Sequence, residues 1–177
     1  MGDSGRRGKT KGSAQARLRD NGRPAMSPVI AVEAAVNAMT NTLLNGLCAW
    51  LIYRRAAVVP CGFAGIMIDV CVTCIAICFC TVPFSVAAAK RHLKSGALKN
   101  REIKDRQFSY FPRHPLLLAL FFALPVMLPL GLLLGWGFAF LGITELPVFG
   151  FVLYKGILGG LLGGCVCAAA LIRCQYI

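Results

Sequence analysis

Two ionisable side chains stand alone in long apolar stretches: Asp69 within residues 62–89 and Lys155 within 147–172. A charge held in hydrocarbon is costly unless it meets a counter-charge, protein polar groups or water. Such a residue therefore marks an ion pair or a polar path. A third, Glu33, begins a ladder that continues through Asn37, Asn41 and Asn45, one rung every four residues. Positions i, i+4, i+8 and i+12 fall on one side of a helix. That side must face protein or water, because bare amides and carboxylates are penalised in lipid. Thr73, four residues after Asp69, shares its face. Side chains of these kinds can hold a polar solute or a proton by charge and hydrogen bonding; none of them suggests bond-breaking chemistry.

Covalent catalysis finds no motif. Gly-x-Ser-x-Gly, His-Glu-x-x-His and a phosphate-cradling glycine loop are all missing from the sequence. Asp69 has no second carboxylate at its depth with which to share a proton. The expectation is that the chain is not an enzyme and carries no cofactor. Nine cysteines raise the question of metal or disulfides. Cys71, Cys74, Cys78 and Cys80 lie inside one apolar segment and Cys165 and Cys167 inside another, where free cysteine behaves as a small hydrophobe. Cys71, Cys74 and Cys78 share a face roughly opposite Asp69, but His92 and His114 both fall in the polar loop that follows. No metal site is expected.

The elements that must position these groups are four apolar segments, at about 29–53, 62–89, 115–143 and 147–172, each long enough to cross a bilayer as a helix, which takes about 20 residues. Pro83 should bend the second, and Pro125 and Pro129 interrupt the third. With 57% hydrophobic residues and a mean hydropathy of +0.68, the 177-residue chain is too apolar for an ordinary soluble domain. The fold expected is an all-α integral membrane protein, a four-helix bundle.

Charge gives the orientation. The N-terminal arm, the 90–114 loop and Arg173 together carry sixteen Lys and Arg, against Arg54 and Arg55 on the opposite side. By the positive-inside rule both termini face the cytoplasm, and the setting expected is a bacterial cytoplasmic membrane. The net charge of +12 sits beside apolar segments, where anionic lipid explains it better than nucleic acid. Residues 1–28 read as a disordered basic arm, and residues 1–25 are open to being an upstream extension, since Met26 stands directly before the first segment. The 90–114 loop alternates signs from Lys99 to Arg106 and reads as a solvated loop or a short surface helix.

Depth then relates the polar groups. At 1.5 Å per residue, Asn45 lies about 24 Å, Asp69 about 27 Å and Lys155 about 25 Å above the cytoplasmic ends of their helices. The expectation is one polar centre of Asp69, Lys155, Asn45, Asn41, Thr73 and Asn37, with Glu33 near the inner edge. Gly156, Gly159, Gly160, Gly163 and Gly164 cut a groove into the fourth helix for the close approach of a neighbour, from this chain or a second copy. Two functions fit: a small permease-like protein or transport-complex subunit working through the polar centre, or a non-transporting scaffold whose polar residues only pack helices. The partners expected are the bilayer, anionic lipid at the basic loop, and a homo-oligomer or larger membrane complex.

Overall fold

The computed structural model describes residues 27–98, 111–112 and 114–176. The readings of the N-terminal arm and of the loop from Lys99 to Tyr110 lie outside the described residues. The described residues form four helices: α1 (Pro28–Tyr53), α2 (Phe63–Lys94), α3 (Pro115–Phe140) and α4 (Val148–Cys174). Two three-residue strands join them, β1 (Val58–Pro60) and β2 (Glu145–Pro147), which pair antiparallel with Val59 opposite Leu146. An all-α reading missed this ribbon. It ties the α1–α2 connection to the α3–α4 connection at one end of the molecule, here the ribbon end. The opposite, basic end gathers Arg91, His92 and Lys94 of α2 with Arg173 of α4.

The architecture is twofold. Each half runs helix, short strand, helix, and every boundary from Pro28 to Pro60 recurs 87 residues later, from Pro115 to Pro147. Both first helices start with proline, whose fixed φ and missing N–H suit the first helical turn. Helices from opposite halves pack together: α1 lies against α4, α3 against α2, and α2 meets α4 along the middle. One apolar cluster fills the basic end, built on Val82, Val86, Leu118 and Leu171. Another fills the ribbon end around Val59, Ile66, Val70 and Phe151.

Three helices, α2, α3 and α4, are long and apolar enough to cross a membrane. Their outer surfaces, and that of α1, expose Val36, Leu43, Leu47, Phe84, Leu133, Trp136 and Leu161 among others. Apolar area on that scale is a liability in water and is expected where acyl chains supply the solvent. These features place the chain with membrane-associated proteins.

Helix boundaries depart from expectation in two places. α2 continues through Lys94, five residues past the expected end. Ala88 and Ala89 are buried there, and the cations of its last turn oppose the negative end of the helix dipole. Gly96, at φ 76°, then stops it. Conversely α3 ends at Phe140, because Gly142 takes φ 67° while its N–H bonds Ala139 and that of Ile143 bonds Phe138, the paired bonds of a Schellman cap. Pro125 and Pro129 interrupt nothing: α3 is one continuous helix, as is α2 through Pro83. Neighbouring helices and local adjustments commonly let apolar helices carry prolines.

Candidate functional site

Asp69 enters on the second turn of α2 and Lys155 on the second turn of α4, so both approach from the ribbon end. The two helices run parallel and touch, which brings these residues together. Lys155 Nζ donates to both carboxylate oxygens of Asp69, at 2.9 and 3.0 Å. It also donates to Thr73 Oγ1, whose own hydroxyl donates to the Asp69 backbone carbonyl at 2.6 Å. The ammonium is thereby satisfied by three oxygens, and Thr73 itself is buried. The pair is lopsided: the lysine side chain is 11% exposed, the aspartate 26%. The Tyr154 hydroxyl, next in sequence to Lys155, is buried with no hydrogen-bond partner.

The asparagines do not join this centre. Asn45 Nδ2 donates to Asn41 O and Asn41 Nδ2 to Asn37 O, each at 2.9 Å, and Asn37 Nδ2 reaches Glu33 O at 3.3 Å. The ladder thus bonds down its own helix. Its cross-helix contacts are Asn41 to Thr81 Oγ1 at 3.4 Å and Asn37 to Cys167 Sγ at 3.2 Å. Thr81 stands twelve residues from Asp69 on α2, about 18 Å along the axis, whereas Asn45 is only about 6 Å above Asn41. Asn45 therefore lies about two turns below Asp69 rather than level with it. Lys155 bridges part of the difference because helical side chains lean toward the helix N-terminus, here the ribbon end.

What the ladder meets instead is the glycine face of α4. A Cβ added at Gly159 would lie 2.7 Å from Asn45 Cγ, and one at Gly163 2.6 Å from Asn41 Cγ. At Gly160 it would collide with Thr42 Oγ1, at Gly164 it would come within 3.2 Å of Ala38 Cβ, and at Gly156 within 3.3 Å of Thr42 O. The neighbour that fills the groove is α1 of the same chain. On the outer side of the seam an apolar groove of about 650 Å³ is lined by Ala34, Ala38, Leu43, Ile157 and Leu161. The amides face inward and the hydrocarbon outward.

At the basic end Glu33 Oε1 meets His92 Nε2 at 2.7 Å. His92 belongs to α2, not to a loop. Extending α2 by its last turn would have supplied this partner from sequence. Two lines of four-residue spacing extend the signals already legible in the sequence. Asp69, Thr73, Thr81 and Ser85 fall on one four-residue line of α2, and Lys155, Gly159, Gly163 and Cys167 on one line of α4. Three parallel lines of this spacing mark the facing sides of α1, α2 and α4. All nine cysteines are free, and among the described residues no cluster of His, Cys, Asp or Glu is arranged to hold a metal ion.

No protein-family model matches the chain, and neither does a curated protein or a solved structure. Function must therefore be read from the geometry.

Proposed function

We propose that this is a small four-span membrane protein of permease type, or a subunit of a transport complex, that handles a small polar or charged solute at the Asp69–Lys155–Thr73 centre. It sits in a cell membrane with the basic end and both termini cytoplasmic. The polar ladder keeps α1 out of the set of strongly apolar helices, yet α1 packs along α4, and its polar rungs turn toward the chain. Val32, Val36, Met39, Leu43 and Leu47 cover its outer side. α1 therefore crosses wherever α4 does.

The observation that carries the transport reading is the ion pair between two adjacent spans, with its carboxylate a quarter exposed while its ammonium is nearly covered. A pair needed only as glue has no reason to leave one partner open. Interhelical polar contacts inside membranes add little stability, roughly 0.6 kcal/mol each, so a charged pair kept there invites a working role. The scaffold reading draws on a different observation: the asparagines bond their own helix and fit the glycine groove.

Reconstituted vesicles separate the two. Wild-type protein should take up at least one of a panel of small organic anions, cations and zwitterions, or carry protons reported by an internal pH dye. Asp69→Asn with Lys155→Met should abolish that flux while the helical circular dichroism and the elution volume stay unchanged. Unaltered flux in the folded double variant would remove the polar centre from the mechanism. Absence of any flux in wild type across the panel would favour the scaffold.

A further inference from the structure

We propose that Arg173 forms a phosphate-binding site at the basic end, and that its ligand is the phosphate of an anionic lipid headgroup. Arg173 occupies the last turn of α4 and is only 6% exposed. Its Nη2 donates to the Phe111 carbonyl at 3.1 Å, and the guanidinium lies over the Phe111 ring, 5.9 Å from its centre. Nε and Nη1 are buried and have no hydrogen-bond partner. A guanidinium stays charged at any physiological pH, so it cannot escape burial by losing a proton. A buried charge left unpaired is strongly unfavourable, which implies a counter-ion beyond the described side chains.

The described carboxylates are already placed elsewhere. Glu33 is taken by His92, Asp69 by Lys155, and Glu145 lies at the ribbon end. The surroundings favour an anion with several oxygens. The two open donors, Nε and Nη1, lie on different edges of the planar guanidinium, and an anion with several oxygens can accept from one edge while leaving charge near the other. Arg91, His92 and Lys94 end α2 at the same basic end of the molecule. Phe111 leads into the N-terminus of α3, where His114 provides no side-chain cap and the first turn holds no acidic residue, so that end of the helix dipole adds positive potential. Arg173 terminates an apolar helix of 27 residues, the depth at which headgroup phosphates lie if that helix spans. Nothing in this inference depends on transport.

The test uses the full-length protein in mild detergent, titrated with short-chain phosphatidylglycerol, short-chain phosphatidylcholine or inorganic phosphate, and read by thermal unfolding and native mass spectrometry. Phosphatidylglycerol should bind saturably and remain as an adduct, more tightly than phosphatidylcholine. Arg173→Gln should weaken that binding about tenfold or more, the worth of a charge-assisted pair of hydrogen bonds. Arg173→Lys, which keeps the charge but loses the planar array of donors, should fall between, and Arg55→Gln, exposed at the ribbon end, should leave binding unchanged. Arg173→Lys also carries the comparison should the glutamine variant not fold. Protection by inorganic phosphate equal to that by the lipid would keep the phosphate site and overturn its lipid source. Equal phosphatidylglycerol affinity in wild type and both Arg173 variants overturns the site. So does an Arg173 effect on phosphatidylglycerol binding that appears only in a Glu102→Gln, Asp105→Asn background, which would make the chain its own counter-ion.

Discussion

Asp69 and Lys155 differ in burial, and this makes their replacement asymmetric. Removing one member of a buried pair leaves the other charge uncompensated, at a cost of about 3 kcal/mol when the survivor is well covered. Asp69→Asn strands Lys155, the more deeply buried side chain, whereas Lys155→Met strands a carboxylate that keeps a quarter of its surface. The first substitution should therefore destabilise more than the second. The double variant should cost clearly less than the sum of the singles, since neither charge remains to be solvated. Unfolding free energies in detergent for the four proteins of this cycle test the point, and additive losses would mean that the two side chains are uncoupled. Thr73 complicates only Lys155, because its hydroxyl oxygen continues to accept from the ammonium when the carboxylate is gone.

Among the elements, α1 and α4 are matched by shape. Glycines at 159 and 163 remove side chains where Asn45 and Asn41 need room, so backbones approach closely and the amides fold back onto their own helix. A branched side chain at Gly163 has no space without moving α1. Gly163→Val should cost about 2 kcal/mol or more, as overpacking does. Gly137 on α3 has open space where a Cβ would go, so Gly137→Ala should be neutral or slightly stabilising, by up to about 1 kcal/mol. Parallel thermal or denaturant unfolding of the two variants checks both values. This seam also shows what was legible beforehand. The ladder announced a partner, and the glycines announced a groove, because four-residue spacing survives in sequence. That each was the other's partner was hidden, since spacing gives a face but not which helix lies across it. The level at which α1 meets α2 was hidden as well, since the apolar run of the second segment stops near residue 89 while α2 runs on to Lys94. The ribbon went unseen for a third reason. Two three-residue strands hold too few positions for an alternation to register, and their pairing spans 87 residues.

At the scale of the molecule, the repeat explains where the ion pair sits. The ribbon pairs Val59 with Leu146 across the twofold relation, and Asp69 follows Val59 by nearly the same distance as Lys155 follows Leu146. Positions one residue out of strict correspondence in the two halves thus carry opposite charges and meet where α2 lies against α4. Membrane transporters include folds built from parallel repeats about an axis along the membrane normal, with their site at the repeat interface. For this chain such an axis requires the ribbon and basic ends to lie on opposite sides of the bilayer. Ala57, beside the ribbon, and Ser95, just beyond α2, are both exposed and report on the two ends. The native thiols give a low background. Cys48, Cys80 and Cys165 lie on outer helix surfaces that acyl chains would cover, and Cys61 is 1% exposed. Burial also pushes the Cys61 thiol above its ordinary range, the carboxylates of Asp69 and Glu145 adding to the shift. Little thiolate then forms near neutral pH, and thiolate is the reactive species. In whole cells a membrane-impermeant maleimide should label Ala57→Cys at once and Ser95→Cys only after the membrane is opened. Labelling of both from outside would place the two ends on one side, and the twofold axis could not then run across the bilayer.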